Sequence, residues 1–363
     1  MRIAHCTFSL SGGGAERLVR DLAIELKRIG HEVDVVLVNR PVGDSWESEA
    51  RSALDAEGIP VFFLNRRRGY PGLRAASRLS HLCRQRQYDV VHSHLTLANS
   101  IVGLARCFTP RKYTHVSTIH NTRENWGWLV SLLARHATKV ACSKAVARHR
   151  GVSVVIPNGI DLVKFRPFIG TCAVTHEAIG LPPHCVMLLA VGSLKAQRNY
   201  GCLLRTVAIL NQRTQGCAFH CVICGEGKER IALSQLAATL SIGDKVHLLG
   251  SRTDIPRLLA SADLFISTSL HEGLPLTVLE AMASGIPCVL SPIEEHRDIA
   301  TGMHECFFAL SNTPEEMVKA VQRALRSPMP KAQVAGQREP LLQPYSIRRC
   351  AQSYLDLYRS LNP

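Results

Sequence analysis

No run of apolar residues in this 363-residue sequence reaches the roughly 20 that a membrane-spanning helix needs. The opening stretch, MRIAHCTFSL, has one basic residue and a short apolar run before a row of glycines. It reads as a first strand and turn, not as a secretory signal. Paired cysteines are lacking too. There are 13, an odd and scattered number, which argues against a disulfide framework and for a reducing cytosol. Cys221 and Cys224 form one C-x-x-C inside FHCVICG, without a second pair at zinc-finger spacing. They read as core residues of a strand. His92 and His94 in HSHL lack a third ligand of obvious spacing, and read as packing or ligand contact, not metal. Aromatics are scarce at 6%. Tyr70 is the only one in the basic stretch 65–87, so the stacking residues that accompany single-stranded nucleic acid are missing. Nor is there a G-x-G-x-x-G with its ribose acid, which weakens a dinucleotide reading. No D-x-D stands at a strand end, so no divalent ion is expected.

What is abundant is positive charge. The chain carries 43 Lys and Arg against 29 Asp and Glu, a net +14. Residues 1–165 hold 24 of the basic and 13 of the acidic residues, a net +11, which leaves +3 for residues 166–363. A basic first half suggests an anionic partner. The densest segment is NRRRGYPGLRAASRLSHLCRQRQ. From Leu73 it predicts a helix with Leu79, Leu82 and Cys83 on one side. Arg66, Arg67, Arg68, Arg74, Arg78 and Arg84 make it a basic element suited to an anionic membrane or acceptor surface. Leu73, Leu79 or Leu82 would supply any apolar contact. Trp126 and Trp128 would line an acceptor entrance or pack under the first domain.

Short Val- and Ile-rich runs alternate with helix-length segments. RIAHCTF, EVDVVLVN, PVFFLN, DVVHSH, VSTIHN, KVACS and SVVIPNGID form one series. VMLLAVGSL, AFHCVICGEG, KVHLLGS, ADLFISTS and PCVLSP form a second. The pattern predicts two doubly wound α/β domains with parallel sheets: residues 1–165, residues 166–345, and a terminal helix over 346–363 packing back on the first domain. Ligands of such sheets bind beyond the carboxyl ends of the strands, so two facing domains would form a central cleft.

The stretch HEGLPLTVLEAMASGIPCV places Glu272 and Glu280 around a segment with no other charge. Gly273 and Pro275 break any helix that would include Glu272, and Pro275 suits a first helical position. The amides of Leu276 and Thr277 would then face an anion, helped by the helix dipole. Glu280, one turn further in, would accept the hydroxyls of a ribose. Between the first strand and first helix, Gly12, Gly13 and Gly14 would allow a phosphate to approach the backbone.

These motifs, with STIHN, VACSKAVA, VIPNGID, AVGSLKAQRNY, CGEG and the C-terminal tyrosine helix, occur in one order along nearly the whole chain. Together they closely resemble the family 4 glycosyltransferases: retaining, nucleotide-sugar-dependent enzymes of the GT-B fold. The resemblance implies Glu272 and His120 as catalytic residues acting at the donor sugar. It implies Gly13, Gly14, Ser193, Lys195, Arg198, Leu276, Thr277 and Glu280 as donor-binding residues. Ser193 stands where the family usually has Arg, and Arg198 where it usually has Lys, with Lys195 a compensating charge. In SPIEEHRDIA, Asp298 takes the place of the family's acid. The implied reaction moves a hexose from a UDP- or GDP-sugar to a saccharide or lipid-linked acceptor, with no cofactor and no nucleic acid. The enzyme would work on the cytoplasmic face of a membrane in surface polysaccharide or glycolipid synthesis. The alternatives are a nucleotide-sugar epimerase on the same fold, a basic membrane- or nucleic-acid-binding protein, and a silent family member.

Overall fold

The computed structural model describes residues 1–66, 72–110, 113–122, 128–167, 176–214, 216–326 and 329–362. Its chain divides into two compact units: Met1–Ile160 with Pro344–Pro363, and Asp161–Gln343. The sequence reading places these borders five residues and two residues later.

In the first unit the strands are β1 (Arg2–Thr7), β2 (Glu32–Asn39), β3 (Val61–Arg66), β4 (Val90–His94), β5 (Thr114–Ile119), β6 (Thr138–Ala141) and β7 (Val154–Val155). Between them run α1 (Gly14–Arg28), α2 (Ser45–Ala56), α3 (Leu73–Arg86), α4 (Thr96–Phe108), α5 (Trp128–Leu133) and α6 (Lys144–Arg150). All pairings are parallel, in the order β3-β2-β1-β4-β5-β6-β7. The order reverses between β1 and β4. β1 and β4 are buried along nearly their whole length, so their polar residues His5, Thr7, His92, Ser93 and His94 lie inside the unit with the apolar ones.

The second unit repeats the scheme. Its strands are β8 (Cys185–Val191), β9 (Ala218–Cys224), β10 (Val246–Gly250), β11 (Leu264–Ser267), β12 (Cys288–Leu290) and β13 (Cys306–Phe308). Its helices are α7 (Tyr200–Arg213), α8 (Arg230–Thr239), α9 (Ile255–Ser261), α10 (Leu276–Ala283), α11 (Glu294–Ala300), α12 (Pro314–Arg326) and α13 (Lys331–Leu342). The sheet order is β10-β9-β8-β11-β12-β13, again parallel, with its reversal between β8 and β11. Every strand foreseen from the sequence is present. β13 is an addition, a three-residue edge strand too short for a periodic signal.

The last helix, α14 (Ile347–Leu361), belongs to the first unit. Ser346 caps its N-terminus through the Arg349 amide at 3.2 Å. Cys350, Tyr354 and Tyr358 enter the core with Ile3, Leu18 and Leu22. Burying a tyrosine requires a partner for its hydroxyl. Tyr358 Oη lies 2.7 Å from His92 Nδ1, and Tyr354 Oη lies 2.7 Å from Thr118 Oγ1. Among the described residues, no helix is long and apolar enough to cross a membrane.

Candidate functional site

In the second unit, the reversal between β8 and β11 marks where a ligand crevice is expected. Two glycines shape the strand ends there. Gly225 has φ +156, and a Cβ on it would collide with the carbonyl of Gly192. The Gly192 amide donates to Cys224 O at 2.9 Å, and Leu194 N donates to Glu226 O at 2.9 Å. This close approach fixes the loop Ser193–Asn199, whose second half is a 3-10 turn, Ala196–Arg198.

That turn sends Arg198 toward the loop after β11. Arg198 Nη1 donates to Glu272 Oε1 in a close ion pair, and reaches Ser269 Oγ at 3.5 Å. The Ser269 hydroxyl donates to Glu272 Oε1 at 2.8 Å. Gln197 Nε2 donates to His271 O at 2.7 Å and to Glu272 Oε2 at 3.4 Å. The Glu272 amide donates to Glu295 Oε1 at 3.1 Å. Glu272 is 4% exposed, and a carboxylate that deep is tolerated when paired and hydrogen-bonded. Arg198 keeps 21% of its side chain exposed. Its fork has five N–H donors, enough for Glu272 and a further anion. Beneath this cluster His296 is buried. Its Nδ1 lies 3.0 Å from Ser291 O, and burial pushes its pKa down to about 4.

α10 starts one residue later than expected. Pro275 is the residue before the helix, with φ −78 and ψ 80, not its first member. The Leu276 amide donates to Leu274 O at 2.9 Å in a tight turn. Of the two amides expected to face a phosphate, one is therefore engaged. That of Thr277 has no hydrogen bond among the described residues. Glu280 is 2% exposed in a helix otherwise apolar on its buried positions. The far end of α10 is held by Arg338 of α13, which donates from Nη1 to Met282 O at 3.3 Å and Ile286 O at 2.9 Å. Ser193 is half-buried and Lys195 exposed, and neither side chain joins the Arg198–Glu272 cluster. Asp298 is half-buried on α11. Glu295, which the sequence reading passed over, is the α11 acid that meets Glu272.

In the first unit, Gly13 precedes α1 and Gly14 begins it. A Cβ on Gly13 would collide with the Glu16 carboxylate, and one on Gly12 would meet the Trp46 ring. The loop is thus closely packed, and Glu16 brings negative charge to the spot where a phosphate was expected. At the end of β5, His120 is half-buried. Its Nε2 lies 3.2 Å from His94 Nδ1, and His94 Nε2 lies 3.2 Å from His5 Nδ1. His5, His92 and His94 hold ligand atoms within 4.8 Å of one another. The third imidazole that the sequence did not reveal comes from β1. Yet His92 spends both nitrogens on hydroxyls, 2.7 Å from Tyr358 Oη and 2.7 Å from Thr118 Oγ1, so it has no lone pair to spare for a metal.

The basic segment is partly outside the described residues: Arg67 and Arg68 fall there, as does Trp126. Arg66 is half-buried at the end of β3, and Arg74, Arg78 and Arg84 are exposed on α3. Arg78 Nη1 donates to Leu64 O at 2.7 Å. Leu79 and Leu82 lie in the core with Leu64 and Val91, so they cannot enter an interface. Leu73, 56% exposed, can. Trp128 is 79% exposed at the start of α5, so it does not pack under the domain. Cys221 and Cys224 are buried in β9, and burial raises both thiols, Cys224 to about 12, which leaves them inert.

Two parallel Rossmann-like sheets, of seven and six strands, are the architecture of the GT-B fold. The comparisons with known proteins narrow this. Residues 12–164 match the Glycosyltransferase Family 4 model, and residues 186–327 match that of the Glycosyl transferases group 1. The chain belongs to family 4 of the glycosyltransferases. It is 26% identical over 308 residues to the UDP-Gal:alpha-D-GlcNAc-diphosphoundecaprenol alpha-1,3-galactosyltransferase of Escherichia coli, covering 79% of each chain. It is 25% identical to the putative glycosyltransferase EpsF of Bacillus subtilis, over 98% of this chain and 96% of that one. Among solved structures, Anabaena HepE in complex with UDP-glucose superposes with a TM-score of 0.82 at 19% identity, over 99% of this chain and 100% of that one.

Proposed function

We propose that this glycosyltransferase moves a hexose from a UDP-sugar to a saccharide or lipid-linked acceptor, with retention of anomeric configuration, in surface polysaccharide or glycolipid synthesis. The observation that carries this reading is the Arg198–Glu272–Ser269 cluster beside the N-terminus of α10, at the strand-order reversal of the second unit. There a cation, a helix N-terminus and a buried carboxylate lie within a few residues' reach. The bound UDP and UDP-glucose of the HepE structures support UDP over GDP as the donor base. The lipid-diphosphate acceptor in the name of the Escherichia coli relative supports the acceptor class.

In this reading Arg198 and the Thr277 amide stabilise charge that grows on the leaving diphosphate. Glu280 holds the ribose. Glu272 has two tasks: it aims Arg198, and it meets hydroxyls of the donor sugar. His120, from the first unit, is the second catalytic residue. Gly13, Gly14, Ser193, Lys195 and Leu276 complete the donor set, with the engaged Leu276 amide and the glycines beside Glu16 as the weaker contributors. A leaving phosphate oxygen takes the acceptor proton, so no protein nucleophile is needed. The protein works by positioning and preorganised charge, without a required divalent ion, at the cytoplasmic face of a membrane.

A panel of UDP- and GDP-sugars with a membrane extract as acceptor, read by mass spectrometry, tests the proposal. Transfer from a UDP-hexose with the α-linkage preserved is expected. Activity should persist in EDTA. Conversion of the nucleotide sugar to its epimer without transfer would replace the reading. Loss of turnover in EDTA that a divalent ion restores would remove its metal-independent part.

A further inference from the structure

The imidazoles of His5, His94 and His120 stand in line from the interior of the first unit to the end of β5. His5 Nδ1 is 3.2 Å from His94 Nε2, His94 Nδ1 is 3.2 Å from His120 Nε2, and His120 Nδ1 is 3.4 Å from the Asn158 side-chain amide. Neighbouring rings lie 5.4 Å apart between centroids at each step. A neutral imidazole has one N–H and one lone pair. Each internal link uses one nitrogen of each ring, so the direction of one link fixes all the others. The rings are neutral near pH 7, because burial pushes His5 to about 3, His120 to about 4 and His94 well below its ordinary value.

Two directions are open. In one, every N–H points toward Asn158. His5 Nδ1–H donates to His94 Nε2, His94 Nδ1–H donates to His120 Nε2, and His120 offers its own Nδ1–H at the end of β5. In the other, every N–H points inward, and the chain ends on His5 Nε2–H. The sealed end decides between them. His5 is fully buried, and its Nε2 has no hydrogen-bond partner among the described residues. An orphaned N–H there is the costlier defect, and an orphaned lone pair the milder one. At the other end, Asn158 Nδ2 faces His120 Nδ1 while Asn158 Oδ1 is buried with no partner among the described residues; turning the carboxamide over brings that orphaned oxygen to accept from a His120 Nδ1–H.

We infer that His94, backed by His5, is a positioning residue that fixes His120 as the Nδ1–H tautomer, a hydrogen-bond donor and not a base. The inference rests on the reading of His120 as catalytic. A donor at that atom suits a sugar oxygen. Leu95, directly after His94, has φ 71 and ψ 154, a conformation that a leucine avoids. The strained turn sets the direction in which β4 ends and with it the place of His94.

The test uses the full chain labelled with nitrogen-15 histidine, with long-range proton–nitrogen correlations assigned by single histidine substitutions. His5, His94 and His120 are expected as Nδ1–H. An Nε2–H tautomer at His120 overturns the inference. His94→Asn, whose amide can take the place of Nδ1–H, should keep the His120 signature and most of kcat. His94→Leu should lose the signature and lower kcat about 10- to 100-fold with little change in donor KM. A folded His94→Leu protein with the wild-type signature and kcat overturns the positioning role. Stoichiometric zinc uptake that removes the imidazole N–H signals would make the cluster a metal site and overturn it as well. His120→Ala separates the two claims: unchanged transfer there would refute the catalytic reading of His120, while the tautomer result stands or falls by itself.

Discussion

At the scale of single residues, the second unit commits a buried carboxylate to a cation. Removing one member of such a pair costs more than removing both, since the survivor is left buried and unpaired. Arg198→Ala should therefore destabilise the second unit by on the order of 3–5 kcal/mol, and Arg198→Ala with Glu272→Gln by clearly less. Urea denaturation of the three proteins reads the difference. Equal loss in the single and double variants would mean that Ser269 and Gln197 satisfy Glu272 without the arginine. Glu280 behaves differently, because an alanine there continues an apolar helix. Glu280→Ala should leave the fold intact and weaken UDP binding by about 1.5–3 kcal/mol, the range for a hydrogen bond to a charged group. Calorimetry that finds unchanged affinity in the folded variant refutes the ribose role. Glu272 and Glu280 were legible in the sequence because they sit in a continuous motif broken by Gly273 and Pro275. Ser269, Gln197 and Glu295 were not. They come from the loop after β11, the 3-10 turn after β8 and helix α11, and each alone is an ordinary polar residue. His5 was hidden for the same reason: one histidine in an apolar strand carries no sign of the two on β4.

At the scale of elements, alternation of strand and helix was readable because the central strands are buried and most strands open or continue with short Val-, Ile- or Leu-rich runs. The start of α10 was misread by one residue. Pro275 has no N–H to place, and its φ suits both a first helical position and the residue before it. Only the Leu276–Leu274 turn distinguishes the two. β1, β4 and β5 share a further property. They bury His5, His92, His94, His115 and the partly covered His120 as neutral rings, with desolvation the leading cause for each. An unfolded histidine titrates near 6.5, whereas His5 and His115 are held at about 3 and His120 at about 4. Between roughly pH 6.5 and pH 4 the unfolded chain thus binds more protons than the folded one, and stability rises with pH across that window. It is fully present above 6.5 and is lost as the solution is acidified toward 4. Urea midpoints of the first unit, measured at half-unit steps from pH 7.5 to 4.5, should be level above 6.5 and fall below it. A flat profile would show that the rings accept protons without unfolding, and would undo the neutral chain from His5 to His120.

At the scale of the molecule, the charge asymmetry of +11 in residues 1–165 against +3 in residues 166–363 is the feature the fold alone does not need. An α/β domain folds equally well with balanced charge, so the excess serves a partner or nothing. α3 shows how a surface for such a partner is built. Its inner side, Ala75, Ala76, Leu79, Leu82 and Cys83, is spent on the core, so adhesion falls to exposed Arg74 and Arg84 and to Leu73 at the helix start. At an anionic surface each such charge contributes roughly 1 kcal/mol, and the attraction is screened over a Debye length of about 8–10 Å. The protein should therefore sediment with vesicles rich in anionic lipid and much less with neutral ones. Salt should release most of it, and a residue that resists salt should vanish in Leu73→Ser, since Leu79 and Leu82 are unavailable. Replacing Arg67, Arg68, Arg74 and Arg84 by serine should reduce sedimentation and leave UDP-glucose affinity unchanged, because the cluster of Arg198, Glu272 and α10 lies in the second unit. Equal sedimentation with both lipids, or none with either, would assign the charge to another anion and leave the lipid-linked acceptor resting on the name of a relative.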